Sequence, residues 1–232
     1  MSLIEETFKT KKAVIGVIHL PPLPGSPRYM GKEIGSIVER ALKDAKALSD
    51  GGANVYIETM VTDQGIIEPC AYRVQMAKKI YHAADVKVFA DIHVKHGASL
   101  TQRPLETVAE EALKRGLADA IILTGPSTGM PPLLDDVKRV RDNLPNAPII
   151  IGSGCSPENI YDLFRLADAA IVGSYFRGGD LSAPISKDRV EKIMAKVREI
   201  RKEWNIVSTY ATSKRIFHPR KDCYYVGVES FL

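Results

Sequence analysis

Three cysteines in 232 residues, Cys70, Cys155 and Cys223, lie far apart and form no CxxC pair, which argues against both a disulfide framework and a zinc site. They read as reduced thiols. No apolar run approaches the roughly 20 residues that a spanning helix requires, as runs such as 120–123 and 148–151 show. No transmembrane segment is expected. Like charges never gather into a block of five or six before the loosely basic end, and 32 basic against 28 acidic residues leave only +4. Nucleic acid is therefore not an expected partner. Residues 1–12 carry Glu5 and Glu6 and no apolar stretch ahead of a small-residue cleavage site, so a secretory leader is not expected. The expected compartment is the cytoplasm, with an organelle or the periphery of a membrane as alternatives.

What is present is ordinary globular composition, 45% hydrophobic and 26% charged. The length fits one barrel-sized domain with an appendage. A short β-rich run followed by a helix-like stretch recurs along the chain, the pattern of βα units and a parallel sheet. Candidate strands are residues 13–20, 54–58, 87–95, 119–124, 148–152 and 169–174, and candidate helices are 34–49, 68–83, 104–115, 133–143, 157–166 and 187–201. Ser156 and Pro157 suit a helix N-cap and first helical position, and Gly51 and Gly116 suit left-handed helix stops. Strands apolar on both faces, such as Ile149, Ile150 and Ile151, suit a sheet with helices outside and packing within. This favours a TIM-type β/α barrel of about six units over a flavodoxin-like open sheet. Residues 1–202 form the barrel on this reading. The period fails from Glu203, leaving 203–232 as an appendage, a loose tail or one edge strand around 223–228.

Barrel chemistry sits at the carboxyl ends of the strands. The first strand ends in His19, on one face with Ile15 and Val17, and runs into a proline-stiffened loop. In 87–95 the file Lys87, Phe89, Asp91, His93 and Lys95 alternates with Val88, Ala90, Ile92 and Val94. The apolar file suits contact with helices, which aims Asp91, His93 and Lys95 into the lumen. Three readings stay open there: proton transfer tuned by mutual charge, a divalent metal completed by Glu58 or His19, and a buried ion pair. Gly152, Ser153 and Gly154 end one late strand and Gly173 and Ser174 the next, where barrels often place a phosphate against backbone N–H groups. Asp63, Gln64 and Thr124 lie in polar loops on the same rim.

The stretches His19 to Pro27 (HLPPLPGSP), Met60 to Glu68 (MVTDQGIIE) and Phe89 to His96 (FADIHVKH), with Ile151 to Gly154 and Ile171 to Ser174, closely resemble the BtpA family, also described as BtpA/SgcQ, over roughly residues 10 to 200. The resemblance implies a barrel akin to the ribulose-phosphate-binding barrels. It also implies a link to photosystem I biogenesis, since the family is named for an extrinsic thylakoid protein needed for that process. His19, Asp63, Gln64, Asp91, His93, Lys95 and His96 fall in its recurring stretches. Family members carry about two more βα units between the segments matching 51–56 and 59–65, which abut here, and nothing after Lys202 resembles them. The expectation is an incomplete barrel whose two edges are patched by the tail, paired with a second copy in a homo-oligomer, or left aggregation-prone. The leading functional expectation is binding of a small phosphorylated molecule, with His93, Asp91, Lys95 and His19 as chemical groups and Gly152, Ser153, Gly154, Gly173, Ser174, Asp63, Gln64 and Thr124 as ligand contacts. No cofactor and no metal ligand set is assigned. A non-enzymatic assembly factor acting through its surface, and a truncated barrel without activity, are the alternatives.

Overall fold

The computed structural model describes residues 2–19, 53–56, 58–62, 65–80, 82, 84, 86–211 and 225–229. Gly51, Asp63, Gln64, the loop 20–27 and the helix candidate 34–49 lie outside them. In chain order the strands are β1 (Ala13–His19), β2 (Ala53–Tyr56), β3 (Met60–Thr62), β4 (Gly65–Ile67), β5 (Val88–His93), β6 (Gly97–Ser99), β7 (Ala120–Leu123), β8 (Ile149–Ile151), β9 (Ala169–Val172) and β10 (Tyr225–Glu229). The helices are α1 (Leu3–Phe8), α2 (Ala71–Ile80), α3 (Leu105–Lys114), α4 (Leu134–Asn143), α5 (Ile160–Leu166) and α6 (Lys187–Ala211).

Seven strands form one parallel sheet in the order β10-β1-β9-β8-β7-β5-β2. From β2 to β9 the neighbours follow chain order, and β1 returns to the side of β9. A flavodoxin-like sheet would instead hold its first strand between the second and the third. The sheet is that of a singly wound β/α barrel, and among the described residues no ladder closes it onto β2. The free edge of β1 is taken by β10, which runs parallel to it from Ile15↔Tyr225 to His19↔Glu229. β10 also comes within 8 Å of β2, Cα to Cα, without joining its ladder. The tail thus patches one of the two expected open edges.

Alternation along the strands separates two cores. Ala90, Ile92, Ile121, Leu123, Ile149, Ile151 and Val172 face the helices, against Val108, Ala112, Val140, Leu163, Phe164 and Val197. Ala13, Ile15, Phe89, Ala120, Ile122, Ile150 and Ala169 face inward and meet Ile4 and Phe8 of α1. α1 is too short to show a period in sequence, yet it is well specified: the Ser2 hydroxyl accepts the Glu5 N–H, and the Glu5 carboxylate accepts the Ser2 N–H at 2.8 Å.

Four local expectations are corrected. Residues 60–67 are the hairpin β3–β4 rather than a loop, and β6 extends it to a three-stranded antiparallel sheet built from the segments after β2 and β5. The third helix stop is Leu117, at φ +54, because the Gly116 N–H still bonds the Glu111 carbonyl and the reversal comes one residue later. Ser156 makes the contacts of an N-cap, its Oγ accepting the Glu158 N–H at 3.3 Å and its carbonyl the Ile160 N–H at 3.0 Å, but regular α5 begins later than Pro157. Ser156 begins a turn whose N–H bonds the Asn159 side chain, and the helix starts at Ile160. The last helix runs on to Ala211, past the point where the sequence period fades.

At the amino ends of the strands, Lys12 is buried and donates from Nζ to the Ala167 carbonyl at 2.7 Å. Burial pushes its ammonium down from 10.5 to about 8, against the opposing pull of Asp168. The folded chain therefore carries an electrostatic penalty below pH 8, relieved as pH rises from 8 to 10.5, where the unfolded chain still holds the proton. Lys12→Met is expected to gain about 2 kcal/mol at pH 7, after allowing for the lost hydrogen bond. Urea melts of both chains should show that gain shrinking as pH rises toward 10, and a constant difference would refute the linkage.

Candidate functional site

β5 is where the carboxyl end departs from regularity. Asp91 pairs with Ile122 and His93 with Leu123, so two steps on β5 oppose one on β7 and a bulge falls at Ile92. Asp91 still keeps the inward direction of Phe89. The residue is 7% exposed, with Oδ2 accepting the Thr124 hydroxyl at 3.1 Å and Oδ1 accepting the His93 backbone N–H at 3.1 Å. The His93 ring closes the arrangement, its Nδ1 lying 2.7 Å from the Thr124 carbonyl oxygen. A carbonyl can only accept, so Nδ1 carries a proton, and in the uncharged tautomer the lone pair lies at Nε2. No described residue hydrogen-bonds that nitrogen.

Thr124 thus holds both partners, the carboxylate through its hydroxyl and the imidazole through its carbonyl, and it is 3% exposed. Room for it comes from Gly152, where an added Cβ would fall 2.1 Å from Thr124 Oγ1 and 2.7 Å from Ile122 Cγ2. Gly154, at φ +71, would place a Cβ 2.0 Å from the Pro131 nitrogen, and Gly125 one 2.1 Å from the Met130 carbonyl. Between them the Ser153 hydroxyl donates to the Met130 carbonyl at 2.6 Å and accepts the Gly125 N–H at 3.1 Å. The loops 125–131 and 152–154 are therefore locked backbone to backbone, and their glycines have a packing cause. The Gly154 and Ser174 N–H groups have no acceptor among the described residues. Ser174 also approaches Gly129, whose added Cβ would be 3.4 Å from its Oγ, so the loops after β7, β8 and β9 converge.

The structure brings together Asp91, His93, Thr124, Gly152, Ser153 and Gly154 at one end of the sheet, with Gly173 and Ser174 on the adjacent strand end. His19 closes β1 at the same end, and the description of its side chain lies outside the described set. β5 ends at His93, so the alternation that aligned Lys95 with Asp91 does not reach it, and Lys95 is half-buried in the following turn. His96, at φ +59, pins that turn by donating its N–H to the Pro126 carbonyl at 2.9 Å.

Glu58 is not the spare metal ligand that the sequence allowed. Its carboxylate accepts from Arg103 Nε and Nη2 at 3.0 and 2.6 Å, from Ser99 Oγ at 2.9 Å and from Thr101 Oγ1 at 3.2 Å. Four donors saturate it and tie the rim sheet to the end of β2. Among the described residues no group of three His, Cys, Asp or Glu could hold a metal ion. Arg103 escaped sequence reasoning, although Ser99, Thr101 and Arg103 recur at every second residue, the spacing of one side of an extended segment.

Comparison with known proteins places this geometry in a lineage. Residues 10–57 and 53–199 match the BtpA family. The chain belongs to the BtpA family. An uncharacterized protein of Pyrococcus furiosus is 30% identical over 259 positions, covering 82% of this chain and 95% of the relative. The photosystem I biogenesis protein BtpA of Synechocystis is 29% identical over 262, covering 84% and 91%. Among solved structures, the phosphoribosyl anthranilate isomerase of Thermus thermophilus gives a TM-score of 0.46 at 16% identity, over 86% of this chain and 93% of that one. The Pyrococcus alignment takes in about 190 residues of this chain, so about 70 of its 259 positions have no counterpart here. That is the size of two βα units. The two halves of the family match overlap at residues 53–57, which places the loss at β2. In the sheet β2 stands beside β5, and its other edge joins no ladder among the described residues. No helix among the described residues is long and apolar enough to cross a membrane.

Proposed function

We propose that this BtpA-family barrel binds a small phosphorylated molecule at the carboxyl end of its sheet, with His93 Nε2 as the group that takes a proton or a hydrogen bond from it. The observation that supports this reading is the His93 ring held by the Thr124 carbonyl at 2.7 Å, which leaves Nε2 without a partner among the described residues. Asp91 keeps Thr124 in place and adds negative charge beneath the ring. The anion would meet the Gly154 and Ser174 N–H groups, on loops that follow neighbouring strands, with Gly152, Ser153 and Gly173 shaping their approach. Lys95 supplies a cation on the rim. His19, Asp63 and Gln64 complete the set as ligand contacts.

Calorimetric titration of the intact chain with pentose phosphates, and with the same sugars lacking phosphate, tests this. The phosphorylated form should bind at least ~10-fold more tightly, the worth of one charge-assisted hydrogen bond, and His93→Ala should weaken it further without unfolding the chain. Absence of binding by any phosphorylated sugar, here and in the Pyrococcus relative, would end the proposal. A surface-acting assembly factor is the second reading. It is favoured by Ile66, Leu100 and Leu133, each more than 60% exposed on segments at this end, and by the name of the Synechocystis relative. Under that reading charge substitutions at these three residues would abolish the cellular role while His93→Ala left it intact.

A further inference from the structure

The end of the barrel away from His93 holds a second reactive group. Lys12 takes a left-handed backbone, φ +51, that turns its side chain under the starts of β1 and β9. Among the described residues its Nζ has one hydrogen-bond acceptor, the Ala167 carbonyl, and it lies 4.2 Å from the centre of the Trp204 ring. It lines a cleft of about 190 Å³ together with Ile4, Glu5, Lys11, Asp168 and Trp204.

We propose that Lys12 is an acylation site whose amine takes an acyl group from a small acyl phosphate entering this cleft. The Nζ lone pair attacks the acyl carbon and an amide C–N bond forms. The C–O bond to phosphate breaks with its electron pair leaving on the phosphate oxygen, and the surplus amine proton passes to water. The cleft volume selects a compact donor over one carried on a large cofactor. The Lys11 ammonium on the same wall, 3.7 Å from Glu5, can meet the phosphate.

The surroundings favour both the reactive form and the product. Burial disfavours the ammonium most, Arg141 and Lys11 add to that, and Asp168 opposes it, its charge already engaged by Arg141 at 2.6 Å. Glu5 faces the cleft from α1, and Arg201 of α6 donates to the Lys11 and Lys12 carbonyls. With an ammonium near pH 8, about a quarter of the side chain is neutral at pH 7.5, against about 0.1% for an ordinary lysine. The amide N–H of the product keeps the bond to Ala167, and its acyl carbon chain replaces a charge against the indole, so no buried ammonium remains to desolvate.

The intact chain incubated with acetyl phosphate at pH 7.5, then digested and mapped by mass spectrometry, reads the rates directly. Lys187, whose side chain is 87% exposed, is the internal reference. Lys12 should be acetylated about tenfold faster than Lys187, with the ratio falling as pH rises toward 10 and vanishing in the urea-unfolded chain. A Lys12 rate no greater than that of Lys187 at pH 7.5 overturns the proposal, as does an advantage that survives unfolding. Neither outcome bears on ligand binding at the His93 end.

Discussion

Gly154→Ala is expected to destabilise the fold by about 3 kcal/mol, from a left-handed backbone that L residues resist and from an overpacked contact. The Cβ would fall 2.0 Å from the Pro131 nitrogen and 2.3 Å from the Met130 carbonyl carbon, both backbone atoms that cannot rotate aside. Gly129→Ala is the control. It has the same backbone requirement, φ +81, but its Cβ would only touch Ser174 Oγ at 3.4 Å, so about 1 kcal/mol is expected. Urea midpoints of the two variants measure the difference. The comparison separates two causes for the late glycines. If they serve packing, Gly154→Ala unfolds more easily. If Gly154 is kept only for approach to an anion, the variant melts like the parent and loses phosphate affinity instead.

The glycines show how far residue types alone could be read. Their place at the strand ends was legible, because a glycine between an apolar strand and a helix marks a close approach. What approaches was not. Thr124 and Pro131 sit about 20 to 30 residues away in the chain, and only the pairing of β7 with β8 brings them opposite Gly152 and Gly154. The six main strands were legible for a similar reason, since runs such as Ile149 to Ile151 are buried on both faces. The inward aim of Asp91 followed from alternation and stands. The same alternation failed beyond His93, because the bulge at Ile92 and the end of the strand are set by pairing with β7. Left-handed Leu117 hid behind Gly116, the residue with the better propensity, because the helix end is set by how Ala118 packs and bonds to Ala112. Strand β10 was weakly legible. It carries a short β-rich run, but its value comes from the unpaired edge of β1, which no local pattern reports.

Phe8→Ala should cost about 3–5 kcal/mol, the loss of a buried aromatic with little scope for collapse. Phe8 is 2% exposed, and its ring centre lies 6.1 Å from that of Phe89. In a closed barrel the strands fill their own lumen with layers of side chains. Here, among the described residues, no ladder joins β10 to β2, and the inward residues include Ala13, Ala120 and Ala169, too small to meet across the barrel. α1 supplies the missing volume with Ile4 and Phe8. Ile122, the ladder partner of Asp91, and Ile150 form the next apolar step above that plug, with Asp91 beside them and Thr124 one inward step beyond. Phe8→Leu, which keeps most of the volume, should therefore cost about 1 kcal/mol. Urea unfolding gives both values. A loss below about 1 kcal/mol for Phe8→Ala would mean that α1 rests on the barrel without sealing it. The seal bears on the site as well. With water excluded from below, the Asp91 charge is compensated by its hydrogen bonds from Thr124 and the His93 backbone, and a plug lost from α1 would admit water two residues along β5 from the carboxylate. Phe8→Ala should accordingly perturb the His93 ring resonances in NMR spectra of the folded variant, while Phe8→Leu leaves them in place.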